Sequence, residues 1–386
     1  MVPLRSNKEK ILIAGGGLGG LSAAIALHRT GFDVAVFEQS PQLREIGAGF
    51  SVWPNATRVL KDFGILDRVI QRGDVIERLR VQTWRGHVLG EIRAVSAYQT
   101  PSICIHRADL LRALTESVPW ECIHLGHKLE AFEQFPDRVV ARFSNGQSAE
   151  GDALIGADGI HSAVRGQLLD ASKPVYRGYL AWRGIARCSP STHPRTTAVE
   201  TWGNGKRFGM ESMGGGRTFW YATVNGPQEA LGNADTWKNE AREAFRGWCA
   251  PIPEVIEATA TEDLVKNLIF DRWPVRRWGD GRVTLLGDSA HPTTPNLGQG
   301  ACLAIEGAAV LARCLSETGC EMSARLRRYE KRRFSRTAFM TREALWLGRV
   351  GQWQNAAAVA LGTAFLKLSP QFLMDLRHRA YFSFEA

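Results

Sequence analysis

No C-x-x-C pair occurs among the seven cysteines of this chain, and an odd number of thiols cannot close a complete disulfide framework. Reduced cysteines in a cytoplasmic setting are expected, and a metal site is not. Nowhere does the chain reach the roughly 18 uninterrupted apolar residues of a membrane-spanning helix. Its first residues are polar, so no secretory leader is expected. Internal repeats, low-complexity tracts and a long linker are also missing, which favours interleaved domains over domains strung in series.

Acidic residues are in deficit: 39 Asp and Glu face 48 Lys and Arg in 386 residues, a net charge of +9. The imbalance is local. Between Ser323 and Arg349, nine basic residues (Arg325, Arg327, Arg328, Lys331, Arg332, Arg333, Arg336, Arg342 and Arg349) meet only Glu330 and Glu343. One basic helix with no recognition motif makes a nucleic-acid partner unexpected. An uncharged, Ala- and Leu-rich stretch follows from Gln352 to Leu366. Two readings stay open: helices that brace the molecule, or helices that rest on an anionic membrane and admit a lipophilic substrate.

Glycine is what the chain has in excess, 39 residues, and its placement is informative. Ile11–Ala14 is an apolar run that ends in Gly15-Gly16-Gly17-Leu18-Gly19-Gly20, followed by a helical pattern to Gly31 and a second strand, Val34–Phe37, with Glu38 at its end. In this context G-x-G-x-x-G is a dinucleotide fingerprint. Gly15 makes the turn, Gly17 admits a pyrophosphate and Gly20 packs helix on strand. Glu38 accepts from a ribose that carries free hydroxyls, as in FAD or NAD. No second fingerprint follows a strand, so a pyridine nucleotide has no Rossmann domain of its own.

Two further stretches repeat the strand-to-glycine-turn logic. Ala153–Gly156 delivers Asp158-Gly159 to a strand end, with Ser162 or His161 as the cap of the next helix. Val283–Leu286 breaks at Gly287-Asp288 and resumes as a helix after a loop holding Pro295 and Gly298-Gln299-Gly300. Between them, residues 121–150 read as a small meander. The Trp- and Arg-rich region Tyr176–Phe270 reads as an antiparallel sheet roofing a pocket, then a helix from Asp235 to Ala250. Arg183 and Arg207, at strand positions, call for an anion or several acceptors if buried. Arg107 opens a helix, where a cation is favoured only beside an anion.

Gly15-x-Gly17-x-x-Gly20, Gly156-Ala-Asp-Gly159 and Gly287-Asp-Ser-Ala-His291 with Gly298-Gln-Gly300, in this order, resemble the single-component FAD-dependent aromatic hydroxylases. Phe50-Ser-Val-Trp-Pro-Asn55 and Gly178-Tyr-Leu-Ala-Trp-Arg-Gly184 bring the chain nearest the branch of salicylate, 3-hydroxybenzoate and urate hydroxylases and zeaxanthin epoxidase-like proteins.

The resemblance implies an α/β fold, in which a Rossmann-like FAD domain of the 4-hydroxybenzoate hydroxylase type (1–75, 100–170, 271–322) interleaves with a β-sheet substrate domain (76–99, 171–270). C-terminal helices (323–386) complete it. It implies FAD held by Gly15, Gly17, Leu18, Gly20, Glu38, Arg44, Ala48, Gly49, Arg107, Asp158, Asp288 and the Gly298-Gln299-Gly300-Ala301 turn, with Pro295 against the isoalloxazine. NADPH or NADH would reduce FAD, and O2 would give a flavin hydroperoxide that hydroxylates or epoxidises an aromatic, heteroaromatic or conjugated small molecule.

Arg183 and Arg207 would orient that substrate beside Phe219 and Tyr221, and His291 or Tyr221 would help it lose a proton. Where urate hydroxylases place a substrate tyrosine, this chain has Phe219, which counts against urate. The helix after the late motif reads Glu306-Gly307-Ala308 instead of the family's Glu-Asp-Ala, for which altered packing is expected. A flavin reductase or halogenase, or a non-catalytic flavin- or prenyl-binding escort, is the alternative; the halogenase's Trp-x-Trp-x-Ile-Pro is absent. The protein would be a monomer or homodimer.

Overall fold

A computed structural model describes residues 8–43, 48–93, 98–169, 172–190, 193–368 and 371–383. Arg44, one of the expected cofactor contacts, lies outside them.

Five parallel strands form the central sheet. In spatial order they are Val283–Leu285, Ala153–Gly156, Lys10–Ala14, Asp33–Glu38 and Ile123–Leu125. Their apolar runs are continuous rather than alternating because helices or a second sheet cover both faces. Ile11, Leu12, Ile13, Leu154, Ile155, Val283 and Leu285 are all fully buried. The helices Leu18–Arg29 and Gly300–Leu315 lie side by side against this sheet. They approach closely: a Cβ on Gly19 would stand 3.3 Å from that of Ala304. Gly307 also sits in a tight place, since a Cβ there would come within 2.9 Å of the Leu286 side chain.

The meander appears as the antiparallel sheet Leu129–Gln134, Val139–Phe143 and Ser148–Gly151. A seven-stranded sheet stands apart from the parallel one, in the order Thr259–Asp271, Val175–Ala186, Thr218–Asn225, Lys206–Ser212, Thr197–Gly203, Arg78–Thr83, Val88–Arg93. It is not wholly antiparallel: Thr197–Gly203 and Arg78–Thr83 run parallel, from Thr197 opposite Arg78 to Trp202 opposite Thr83.

One face of this sheet packs Phe208, Met210, Trp220 and Ala222 against Phe245, Ile252 and Val255 from two short helices, Trp237–Ala244 and Ile252–Glu257. The helix expected from Asp235 to Ala250 is thus shorter, and Asp235 is not its cap. Asn233 instead accepts from the Asp235 N–H across 3.4 Å, opening a 3-10 turn ahead of the helix. A small sheet of Gly49–Val52, Ser102–His106 and Asp74–Ile76 joins the two larger ones. The basic segment is a single 30-residue helix, Met322–Gly351, followed by Ala356–Leu368 and Gln371–Phe382.

Candidate active site

Three distant motifs meet at the carboxyl ends of the parallel strands, where open α/β sheets gather ligands. Gly15, at φ +107°, sits so close to the second motif that a Cβ would fall 2.4 Å from the Ala157 carbonyl oxygen. A Cβ on Gly20 would strike the Gly15 carbonyl at 1.9 Å, whereas one on Gly17 would meet nothing within 4 Å. Two glycines therefore serve close packing, and the third leaves open space where a ligand's phosphates would lie. The second and third motifs are joined by Asp158: Oδ1 accepts from Ser289 Oγ at 3.2 Å, and Oδ2 accepts from the Ala163 and Val164 amides at 2.7 and 3.2 Å. Both oxygens of Asp158 thus hold protein, capping the helix Ala163–Leu168 together with Ser162, whose Oγ accepts from the Arg165 amide at 2.8 Å.

The groove between these motifs fits the FAD implied above. Both helices that open onto it, at Leu18 and Gly300, begin without a side-chain cap, so their first N–H groups remain free for phosphate oxygens. Glu38 sits at the rim with Oε2 accepting from the Gly16 amide at 2.7 Å and Oε1 from Ser40 at 2.9 Å. These bonds aim the carboxylate and leave lone pairs for ribose hydroxyls. Asp288 opens into the groove; its dense surroundings raise its pKa, and Arg107 opposes that rise. Arg107 begins the helix Arg107–Thr115, which His106 caps through Nδ1, accepting from Ala108 at 3.1 Å. The Arg107 amide donates to the Ala48 carbonyl at 3.3 Å. Arg107 therefore has the anionic neighbour its position requires.

Gly298 takes the left-handed conformation, φ +62°, against the Trp53 indole. Gln299 is buried, and its side chain pairs with Asn55, whose Nδ2 donates to Oε1 at 3.0 Å. Only the backbone of this residue can face a cofactor. Pro295 is exposed at the start of the turn Pro295–Leu297.

The open face of the seven-stranded sheet carries a row across three strand pairs: Arg183 opposite Tyr221, Tyr221 opposite Gly209, Gly209 opposite Glu200. Gly209 is required because the Tyr221 ring lies over it, with Cζ 2.2 Å from where a Cβ would stand. The Tyr221 hydroxyl reaches Glu200, and burial followed by Glu200 pushes its pKa well up. Arg183 is half-buried, donates to Asn267 Oδ1 at 3.1 Å and faces Tyr179 and Arg107. Phe219 is buried against Gly49 and Met213.

Arg207 is 1% exposed, but its donors go to the protein itself. Nη1 meets Glu200 at 3.1 Å, Nε meets Gln352 Oε1 at 3.4 Å, and Nη2 donates to Asn296 Oδ1. Asn296 in turn donates to the Tyr179 hydroxyl at 3.0 Å, to Thr294 Oγ1 at 2.8 Å and to the Ala344 carbonyl at 2.9 Å. The acceptors a buried arginine needs are internal, so Arg207 is a junction rather than an empty hand.

His291 lies away from the groove's surface. It is 4% exposed, tilted against Trp278 with ring centroids 5.4 Å apart, and burial and Arg333 push its pKa down to about 3. It packs into the core beneath the motif, a placement that argues against a role as the substrate's base.

Glu200, Asn296, Gln352 and the buried Glu211 went unnoticed in the sequence. Ser51 Oγ donates to both Glu211 oxygens, at 2.9 and 2.8 Å, and burial raises the Glu211 pKa. Only Asn296, between Pro295 and Gly298, lay near a recognisable motif; the others depend on pairings across sheets.

The FAD binding domain family model matches residues 8–344. Aurachin C monooxygenase/isomerase of Stigmatella aurantiaca is 39% identical over 377 residues, 97% of this chain and 98% of that one. 6-Hydroxynicotinate 3-monooxygenase of Pseudomonas fluorescens is 35% identical over 326 residues, 81% of this chain and 84% of that protein. Among solved structures, HpxO of Klebsiella pneumoniae complexed with FAD and uric acid superposes with a TM-score of 0.91 at 28% identity, covering 97% of each chain.

Proposed function

The chain belongs to the FAD binding domain family, and from that membership we propose how its residues serve the reaction. It is an FAD-dependent monooxygenase acting on an aromatic or other conjugated small molecule. When bound, FAD supplies the redox chemistry, taking electrons from NADPH or NADH and passing one oxygen atom of O2 to the substrate.

The chain's share is binding, orientation and proton handling, divided between the FAD unit (1–75, 100–170, 271–322) and the sheet unit (76–99, 171–270). Glu38 accepts from the adenosine ribose, and the uncapped helix starts at Leu18 and Gly300 receive the pyrophosphate. Asp288 accepts from a ribityl hydroxyl, with Arg107 beside it. Pro295 and the Gly298–Ala301 backbone would hold the ring, while Asp158 holds the motifs in register. Arg183 gives one donor to Asn267 and has others to spare, so it orients the substrate's phenolate, carbonyl or carboxylate. Phe219 walls the site. A substrate hydroxyl gives its proton to the Tyr221 oxygen as Tyr221 gives its own to Glu200.

The observation that supports this reading is the link between two surfaces: Arg107 lies close enough to interact both with Asp288, beside the uncapped helix starts, and with Arg183, in the row that continues to Tyr221 and Glu200. Aurachin C and 6-hydroxynicotinate, named by the relatives, are the first compounds to test; urate is disfavoured by Phe219. The FAD-loaded protein should oxidise NADH or NADPH faster with a true substrate and yield a product heavier by one oxygen. If no tested aromatic stimulates oxidation and no hydrogen peroxide leaks, the oxygenase reading fails. The same proposal includes a monomeric or dimeric protein and contact with a membrane surface; among the described residues no helix is long and apolar enough to cross one.

A further inference from the structure

The long helix Met322–Gly351 divides into two halves by what its arginines face. In the first half they turn to the protein. Arg325 pairs with Glu9, Arg327 with Glu330, Arg328 and Arg332 with Glu317, and Arg333 and Arg336 with the fully buried Glu306. Most of the basic excess that marks this segment is thereby spent on bracing. The second half is different. Phe339, Arg342, Trp346 and Arg349 are all exposed, and their spacing of three, four and three places them on one helix face. Trp353 continues the stripe just past the helix end, and Trp273, from the loop after the strand Thr259–Asp271, stands beside it with its ring 5.7 Å from the Arg342 guanidinium. Phe339 is 40% exposed, Trp346 46%, Trp353 38% and Trp273 59%. Arg377 lies over the Trp346 ring at 5.0 Å and Tyr381 stands against Phe339, yet all four rings keep a large exposed face, and such a group of part-exposed rings marks a contact site.

The chemistry of the patch selects its occupant. Glu343 is the acid on this stretch of helix, and it is bound to Arg377 and the Tyr381 hydroxyl, each at 2.6 Å. Asp271 is buried and paired with Arg177. The free charge of the patch is therefore positive. A second copy of this chain meeting it face to face would bring the same cations. Alternating arginine and tryptophan suits a lipid headgroup layer instead, where indole rings sit at the apolar boundary and guanidinium groups reach the phosphates. The helix Ala356–Leu368 passes next to Trp353, carries Lys367 as its one charge and exposes Leu361, extending the apolar surface. We propose that the Phe339–Trp353 stripe with Trp273 docks this protein on an anionic lipid bilayer.

The placement has a use. A cavity of about 360 Å³ is lined by Leu345, Gly348 and the exposed Arg349 of the same helix, and by Tyr179 and Asn296, the latter next to Pro295 in the chain. Arg349 belongs both to the stripe and to this cavity, so docking through the stripe would bring the cavity's Arg349 edge to the lipid and give an aromatic substrate dissolved there a short way in. The route rests on the oxygenase reading; the binding does not.

Flotation of the full-length, FAD-loaded protein tests the binding, using vesicles of phosphatidylcholine with phosphatidylglycerol and vesicles of phosphatidylcholine alone. At low salt the protein should float with the anionic vesicles, remain below with the neutral ones, and be released by about 0.5 M salt. Trp346→Ser and Arg342→Glu should each lower binding about tenfold or more. NAD(P)H oxidation with a water-soluble substrate should stay unchanged in both. A wild-type protein that stays in the soluble fraction at low salt overturns the proposal, as do variants that float like wild type. A fall in oligomeric mass on Trp346→Ser assigns the face to a second copy and overturns it too. Vesicle binding without any NAD(P)H oxidation refutes the oxygenase reading and leaves the docking intact.

Discussion

Glu38 holds its place through two backbone amides, so a change there removes the proposed ligand contact and also the acceptor of the Gly16 and Ser40 amides. Glu38→Ala forfeits a hydrogen bond from ribose to a charged acceptor, roughly 1.5–3 kcal/mol. FAD should dissociate about tenfold to a hundredfold more readily in fluorescence titration of the apoprotein. The two sheet arginines separate by their partners. Arg183→Ala removes one bond to Asn267 and should raise KM for a phenolic or anionic substrate with little change in melting temperature. Arg207→Ala strands Glu200 and Asn296 in the interior, and removing one partner of a buried pair costs about 3–5 kcal/mol. Thermal unfolding of the two variants tells them apart; equal melting temperatures would show that Arg207 is not the junction described.

His291 and His193 make an acid-sensitive pair at the same scale. Burial holds them down to about 3 and about 4, against roughly 6.5 in an unfolded chain. Between those values the unfolded state binds protons that the folded state refuses, so stability rises with pH through this window and is lost as pH falls from about 6.5 towards 4. His291→Phe replaces two ring nitrogens without hydrogen-bond partners among the described residues and should flatten that slope in melting curves from pH 4 to 7. A slope identical to wild type would contradict it.

At the scale of elements, the helix Gly300–Leu315 is the part on which the others converge. Its start is the flavin turn, its middle holds Glu306, and Glu306 receives Arg333 at 2.8 Å, Arg336 at 2.9 Å and Asn55. The early Phe50–Asn55 segment, the late motif and the basic helix are thus tied at one carboxylate. Glu306→Gln leaves two arginines short of their buried acceptor and should cost about 3–5 kcal/mol, visible as a lower midpoint in denaturant with an unchanged slope. Elements of this kind were readable from sequence where period and punctuation agree. The three strand-to-glycine turns and the 30-residue basic helix announce themselves through apolar runs, glycines and charge spacing. The helix expected from Asp235 is shorter because Asn233 opens a 3-10 turn ahead of it and Gly247 and Pro251 follow close behind its end. The parallel pairing of Thr197–Gly203 with Arg78–Thr83 was invisible because it joins strands more than a hundred positions apart.

Across the whole molecule, Arg207, Asn296 and Gln352 bind the substrate sheet, the flavin loop and the end of the long helix into one polar junction. The C-terminus returns as well: Phe382 stacks on Trp53, centroids 5.0 Å apart, and Trp53 lies beneath Gly298. Parts so cross-bonded should unfold together, so flavin release and loss of far-ultraviolet ellipticity should share one midpoint; two separated transitions would mean independent units. The amino-acid sequence alone determined the cofactor class and the three turns that build its groove. A dinucleotide fold depends on short-range needs, a glycine where backbones touch and an acid at a strand end, and such needs are written in consecutive residues. The tertiary structure decided which cations face the groove and which are spent inside. It turned Arg207 into a junction and Asp158 into a brace, withdrew His291 into the core, and set Tyr221 on Glu200. Whether a polar group is free or satisfied depends on partners that folding brings from elsewhere in the chain, and no local pattern records them.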